Sequence, residues 1–359
     1  MRRLRSQEDV ISGPRKPHDH LVVVRLSAMG DAALLAPVLN ALLKQHPTLK
    51  VSFLSLEKWR PIFKDLPRLH FIAAQTKGKH KGILGLWKLA GELKALQPTA
   101  IADLHYVLRS RLIRLFLSPL QLPTAVIDKG REEKKALTRP TNKVFKPLKH
   151  TAERYAIALK AVGFPTVLDK DALLTKPLAA QNKTGLVIGV APFAAHAGKQ
   201  YPLAKMKEAL RIFEENMAEK DIKYQLVFFG GGPVEQPLIE QLCKDFPRSS
   251  HALDLSFEEE LTEIAHLDLM VAMDSGNAHL AAMYGVPTIT LWGNTHPYAG
   301  FYPFLQDPEN ALLADRGQYP LLPSSVFGKK VPKGYENVME SIAPEKVAQK
   351  MQSLLEKTS

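Results

Sequence analysis

Asp268-Leu-Met-Val-Ala-Met-Asp274-Ser-Gly-Asn-Ala-His279-Leu-Ala-Ala-Met-Tyr-Gly285-Val-Pro287-Thr-Ile-Thr-Leu-Trp-Gly293 reads as strand, tight turn, helix and second strand. Leu269 to Met273 form an apolar run too short for a helix and bounded by Asp-Ser-Gly. Asp274, Ser275 and Asn277 are all N-cap residues, and Gly276 lets the backbone approach a ligand. The helix expected from Ala278 to Tyr284 ends at Gly285, with Pro287 just beyond, and Thr288 to Trp292 supply the next buried strand. A helix that follows a strand through a Ser-Gly turn aims free N–H groups at an anion, phosphate above all. An ordinary capped βαβ unit accounts for the same residues, and this stretch alone does not separate the two.

Working outward, the 359 residues suffice for two domains, each with its own core. No apolar run approaches the ~18 residues of a membrane-spanning helix. The first residues, Met-Arg-Arg-Leu-Arg-Ser-Gln-Glu-Asp, lack the apolar centre of a signal peptide, and residues 1–19 are expected to be a disordered lead. The lone Cys243 excludes an internal disulfide and a cysteine-cluster metal site, and a cytoplasmic location is the default expectation. A net charge of +12 suggests a polyanionic partner. Much of it falls between Lys129 and Lys149, where Lys134 and Lys135 stand among eight cations and only Glu132 and Glu133 oppose them. Without interleaved aromatics this segment favours an anionic small molecule or lipid over nucleic acid.

The first half alternates strand and helix. His20 to Leu26 is a β-branched run that enters Ser27-Ala-Met-Gly30-Asp31 and then an Ala/Leu-rich helical segment containing Pro37. Gly30 and Asp31 therefore sit at the carboxyl end of a strand, where open α/β sheets bind ligands; Asp31 reads as a general base or as an N-cap. Further strands are expected at Val51–Ser55, His70–Ala73, Thr99–Asp103 and Pro123–Ile127. A helix from Lys81 to Leu96 sets Leu84, Trp87, Leu89, Leu93 and Leu96 largely on one side. Arg109, Arg111 and Arg114 open an apolar stretch and either hold an anionic acceptor or line a solvated face. A helix over His150 to Val162 carries Arg154 and Tyr155, and the following residues to Lys183 read as an interdomain linker. Asp169-Lys170-Asp171 within it lacks the preceding buried strand that a metal-binding Asp-x-Asp needs, and reads as a solvated loop.

The alternation restarts at Gly185 to Pro192, whose following loop carries Lys199-Gln-Tyr201-Pro202. Lys199 is within reach of a phosphate bound by these loops, or is an exposed lysine. Tyr224 to Phe229 ends in Gly230-Gly-Gly232-Pro-Val-Glu235, a turn on which a nucleotide can lie, although it is not Gly-x-Gly-x-x-Gly. Glu235 either bonds a ribose hydroxyl or begins a helix. Ser256 and Glu259 form a capping box. The expected fold class is doubly wound α/β with parallel strands, as two Rossmann-like domains: 20–170, a linker at 171–184, and 185–359 with the last helix packing back on the first domain.

With these pieces in place the chain resembles the lipopolysaccharide heptosyltransferases, the glycosyltransferase family that includes the ADP-heptose transferases. The resemblance runs from about His20 to the end. It is carried by Arg25-Leu-Ser-Ala-Met-Gly30-Asp31 with Pro37, by Lys199-Gln-Tyr201-Pro202, by the Gly230 loop with Glu235, and by Asp274-Ser-Gly276 through His279, Gly285, Pro287 and Gly293. It implies a GT-B fold, in which two Rossmann-like domains face each other across a cleft, and an inverting reaction that needs no metal or cofactor. By that resemblance Asp31 is the base. Lys199, Ser275 and Gly276 hold the donor diphosphate, Glu235 the ribose and Asp274 the donor sugar, while His279 supports the turn. Gly30, Arg109, Lys134 and Lys135 serve the acceptor. The donor implied is ADP-heptose. The partner implied is a phosphorylated, lipid-linked glycan met at the cytoplasmic face of the inner membrane by peripheral contact, and no nucleic acid is expected. Two departures concern the exact sugar: His296 stands where the family often carries Asp, and Ala28-Met29 replaces a Ser-Leu-type pair. The alternatives are a GT-B enzyme using a UDP- or GDP-sugar, an epimerase-like reaction, and a non-catalytic basic protein that binds membrane or nucleic acid.

Overall fold

A computed structural model describes residues 19–178 and 185–357. The lead expected over residues 1–19 lies, apart from Asp19, outside the described residues, as does the Lys183 end of the expected linker. The chain divides into two compact units: residues up to Lys129 with Thr151–Ala172, and Gly130–His150 with everything from Leu173 on.

In the first unit the chain runs β1 (His20–Val24), α1 (Met29–Gln45), β2 (Lys50–Ser55), α2 (Arg60–Phe63), β3 (Leu69–Ala73), α3 (Gly82–Ala95), β4 (Ala100–Asp103), α4 (Leu108–Leu117) and β5 (Thr124–Val126). These strands form a parallel sheet of order β3-β2-β1-β4-β5. Four consecutive residues of β1, Leu21 to Val24, are fully buried, as expected of a strand covered on both faces. Helix α1 starts at Met29 and runs unbroken through Pro37. Residues 130–150 belong to the second unit, where Arg131–Thr138 form α5. The charges of this segment mask a helix in the sequence. The chain returns to the first unit with α6 (Thr151–Ala161), which packs on α1.

Right-handed crossovers put α3 and α4 together on one face of this sheet. Their shared core includes Leu86, Leu89, Ala90 and Leu93 of α3 and Ile113 and Leu117 of α4. The expected apolar side of α3 is therefore only half right. Leu89 and Leu93 point inward, but Leu84 and Trp87 are 82% and 65% exposed.

The second unit runs β6 (Leu186–Ala191), α7 (Leu203–Glu219), β7 (Tyr224–Phe228), α8 (Gln236–Asp245), β8 (Ser249–His251), α9 (Phe257–Ala265), β9 (Leu269–Met273), α10 (Gly276–Met283), β10 (Thr288–Trp292), β11 (Ala311–Leu313) and α11 (Pro344–Glu356). The parallel sheet has the order β11-β10-β9-β6-β7-β8. The decisive stretch folds as expected, with Gly285 at φ +76° closing α10. The Ser256–Glu259 box forms in both directions, at 2.8 and 3.3 Å. Helix α11 belongs to the second unit. Val347, Ala348, Met351 and Leu355 join the core of the second, where α11 packs on α7 and Lys220 pairs with Glu356.

The 130–150 excursion is fastened to the second unit by its own cations. Lys143 Nζ donates to the carbonyls of Leu137, Leu321 and Pro323, and Lys134 Nζ lies 3.9 Å from the centre of the Phe301 ring. Lys134 is only 8% exposed, so half of the expected acceptor-binding lysine pair stands inside the protein; Lys135 remains on the surface. The Asp169–Asp171 loop is likewise fastened, through Ala172 and Asp171 carbonyls that accept from Asn40 and Lys44 of α1.

Candidate active site

In each sheet the chain reverses its direction of winding at one place. The first strand of each unit has neighbours on both sides whose connections leave oppositely, β1 between β2 and β4, and β6 between β7 and β9. The carboxyl ends of such strand pairs open a crevice, the usual ligand position in this architecture. The residues expected to do chemistry lie at the strand ends around these two points, except Lys134 and Lys135 on α5.

At the first point, Asp31 occupies the third position of α1. Its Oδ2 accepts from the Ala28 N–H at 3.3 Å and pairs with the Arg25 guanidinium. Asp31 is therefore not the N-cap residue, which is Ala28; it closes the helix start from the third position and remains about one-quarter exposed. Arg25 is 6% exposed and also donates to the carbonyls of Ser27 and Leu104. It is a fixed strut, set at the end of β1. Tyr155 of α6 is fully buried 5.8 Å from Arg25, and its hydroxyl has no hydrogen-bond partner among the described residues. Burial, with Asp31 nearby and Arg25 opposing, keeps this phenol protonated well above its ordinary range.

His105 was not among the expected site residues. It follows β4, the strand beside β1, and its Nδ1 accepts from the Leu26 N–H at 3.3 Å. Nε2 faces Ser27 Oγ at 3.5 Å, so the imidazole braces the turn that carries Asp31. Burial first, then Arg25 and Lys129, push its pKa down to about 4, and the ring is neutral at pH 7. A histidine at the carboxyl end of the neighbouring strand was the available signal. Asp103 and Arg114 complete this edge. The buried Asp103 accepts from the His105 and Tyr106 N–H groups and from Arg114 Nε at 2.8 Å, so Arg114 is a strut for a loop. Gly30 sits half-buried beside Asp31, and Arg109 is exposed on the first turn of α4.

At the second point, Lys199 Nζ binds Asp274 twice, at 2.7 Å to Oδ2 and 3.2 Å to the main-chain carbonyl. The motif around Lys199 shows why. Gln200 braces the loop by accepting from Ala194 N–H and donating to the Pro192 and Tyr201 carbonyls. Tyr201 is fully buried and donates to the Ile342 carbonyl, and Pro202 begins α7. Lys199 is thus held on a short rigid span. Asn294, itself fully buried, ties the surrounding loops: its N–H donates to the Gly198 carbonyl, and its carbonyl accepts from Ser324 and Ser325.

Ser275 is the N-cap residue of α10, yet no side chain caps the helix. Its Oγ is buried without a hydrogen-bond partner among the described residues. An uncapped helix start, an unpartnered hydroxyl and the Lys199 ammonium held on the neighbouring Asp274 suit this turn to an anion. Gly276 is the first residue of α10, and His279 is buried one turn in. Glu235 lies at the start of α8 and accepts from the Gly231 N–H at 2.9 Å, holding the glycine turn after β7. His296 is 5% exposed, and its Nδ1 accepts from the Tyr298 N–H. Burial, then Arg316 and Lys143, lower its pKa to about 4.

The match to known proteins follows these features. The lipopolysaccharide core heptosyltransferase OpsX of Haemophilus influenzae is 24% identical over 297 residues, 77% of this chain and 80% of that protein. The lipooligosaccharide heptosyltransferase 2 of Campylobacter jejuni is 24% identical over 341 residues, 91% of this chain and 95% of its own length. A glycosyltransferase family 9 structure from Veillonella parvula superposes with a TM-score of 0.71 at 18% identity, covering 96% of this chain and all of that one. The E. coli heptosyltransferase WaaC with ADP superposes at 0.64, with 18% identity, 93% of this chain and 99% of that one covered. The architecture is that of the GT-B glycosyltransferases. The family model for glycosyltransferase family 9 (heptosyltransferase) matches residues 86–324, two-thirds of the sequence. The chain belongs to that family and is a glycosyltransferase.

Proposed function

We propose that this enzyme moves a heptose from ADP-heptose to a phosphorylated, lipid-linked acceptor of the lipopolysaccharide core, with inversion at the anomeric carbon. The observation that carries this reading is the pairing of Lys199 with Asp274 beside the uncapped α10. The solved relatives support the choice of donor, since one is described with ADP and another with ADP-2-deoxy-2-fluoro heptose.

In this account the acceptor hydroxyl attacks the anomeric carbon, Asp31 takes its proton, and the bond to the diphosphate breaks on the opposite side. Arg25 and Ala28 both bind Oδ2 of Asp31, which orients the carboxylate toward the hydroxyl. Charge grows on the leaving diphosphate as the bond breaks. The first N–H groups of α10, Ser275 Oγ and Lys199 meet that charge without reorganising. When Lys199 turns to the diphosphate it gives up one contact with Asp274, whose freed oxygen accepts from a sugar hydroxyl. Glu235 holds the ribose and His279 the turn. Arg109 and Lys135, both exposed, engage acceptor phosphates, and Lys134 contributes to the fold of its segment. The enzyme works at the cytoplasmic side of the inner membrane.

The test is a thermal-shift panel of ADP-, UDP-, GDP- and CDP-sugars. ADP-heptose at about a hundred times its dissociation constant adds roughly 2.7 kcal/mol of stability. A response confined to UDP- or GDP-sugars assigns another donor, and no response to any nucleotide sinks the transferase reading.

A further inference from the structure

Helices α3 and α4 bury Leu86, Leu89, Leu93, Ile113 and Leu117 against the first sheet. The outward side of such a helix pair is normally polar. Here it carries Ile83, Leu84, Trp87, Leu108 and Leu115, each more than 60% exposed. Trp87 stands apart from the other two tryptophans, Trp59 and Trp292, which are buried. A cluster of large apolar side chains on the surface of a soluble unit marks an interaction site.

The charges around it say what it meets. From Leu66 to Ile127 the sequence holds Arg68, five lysines (77, 79, 81, 88, 94) and Arg109, Arg111 and Arg114, against only Glu92 and Asp103. Both acids are already matched, Glu92 by Lys79 and His80, Asp103 by Arg114. The exposed Lys77, Lys81, Lys88, Arg109 and Arg111 are left as an unbalanced rim. The loop that presents Lys77 and Lys81 is fixed in place. His80 is 3% exposed and accepts from the Gln75 N–H, and Gly85 allows the His80 backbone to cross α3 where a Cβ would lie 2.3 Å away.

Tryptophan and long aliphatic side chains ringed by lysine and arginine suit the boundary between headgroups and acyl chains. A second copy of the chain would bring the same positive charge onto itself. The position also fits. The first turns of α3 and α4 follow β3 and β4, so Ile83, Leu84, Trp87 and Leu108 lie at the carboxyl edge of the sheet that also carries Asp31.

We propose that the α3–α4 face seats the first unit on an anionic bilayer surface. Ile83, Leu84 and Trp87 enter the interface, and Lys81, Lys88, Arg109 and Arg111 rest on headgroup phosphates. Its use in catalysis rests on the reading that the acceptor is lipid-linked, but its test needs no acceptor. Vesicles of phosphatidylcholine, with or without phosphatidylglycerol, are mixed with the full chain, and Trp emission and co-sedimentation are read together. With phosphatidylglycerol the emission shifts to the blue and the chain pellets; with phosphatidylcholine alone neither happens. Leu84→Asp and the Lys81→Glu/Lys88→Glu pair weaken partition roughly tenfold or more, while the thermal shift with ADP stays at the wild-type value. Three outcomes overturn the proposal: no binding by the wild type, wild-type binding by Leu84→Asp, or a face that instead forms a dimer abolished by Leu84→Asp. Vesicle binding without transfer from any nucleotide sugar leaves this proposal standing and removes the proposed reaction.

Discussion

In the proposed mechanism Asp31 does two jobs. The contacts that close the start of α1 also aim the group, because Arg25 is itself fixed by two carbonyls at the end of β1. Asp31→Asn keeps the shape and removes the base, so the transfer rate falls about 10²–10⁴-fold with little change in donor KM, read by steady-state kinetics. Lys199 differs, since its proposed role as a phosphate ligand adds to its place in a buried ion pair, with side-chain exposures of 16% and 7% for Lys199 and Asp274. Lys199→Ala lowers kcat about a hundredfold and costs roughly 3 kcal/mol of stability by stranding the Asp274 carboxylate. Adding Asp274→Ala restores part of the stability in a denaturant titration and none of the activity. At this scale the motifs singled out Asp31, Lys199 and Asp274, which the structure sets at the carboxyl ends of the two sheets. They did not reveal the Lys199–Asp274 pairing, which depends on two loops more than seventy residues apart. Nor did they reveal His105, whose meaning comes from β4 lying beside β1.

At the scale of elements, the site depends on loops packed too tightly for side chains. A Cβ on Gly293 would lie 2.5 Å from Met339 Sδ and 2.9 Å from the Gly198 carbonyl. Gly293→Ala therefore costs about 1–3 kcal/mol, seen as a lowered denaturation midpoint, and moves the Lys199 loop that hangs from Asn294. Gly328, at φ +72°, covers the Lys199 stem, with a Cβ there 2.7 Å from Lys199 Cγ. The parallel strands were legible because burial on both faces demands unbroken β-branched and aliphatic runs, as in Leu21–Val24 and Leu269–Met273. Helix α3 was legible as a helix but not in its facing. Leu84 and Trp87 satisfy an apolar pattern as well as Leu86 and Leu89 do, and only the position of the sheet decides which side is buried. Helix α5 was hidden by charge, because Lys134 and Lys143 look solvated until their partners are known.

For the whole molecule, two buried histidines contribute to the acid side of its stability. His105 and His296 titrate near 4 when folded, against an ordinary 6.5. Between these values the unfolded chain binds more protons, so stability falls as pH drops from about 6.5 toward 4, by up to about 3 kcal/mol per histidine. They belong to separate units, and their effects should add. Thermal melts from pH 7 to 4.5 check this: His105→Gln and His296→Gln each flatten the fall, and a wild type equally stable at both ends contradicts it. The division into units was only partly legible. Residues 130–150 join the second unit through Lys143, Lys134 and His150, whose partners lie beyond residue 300, and no local composition announces such contacts. The two reversal points were legible as strand ends, and the proposed mechanism draws the base from one and the diphosphate ligands from the other. The most direct test is transfer from ADP-heptose to a heptose-free core acceptor, with ADP release followed for the wild type and Asp31→Asn. The account predicts turnover by the wild type, a loss of about a hundredfold or more in Asp31→Asn, and equal stabilisation of both by ADP. Wild-type turnover by Asp31→Asn contradicts it.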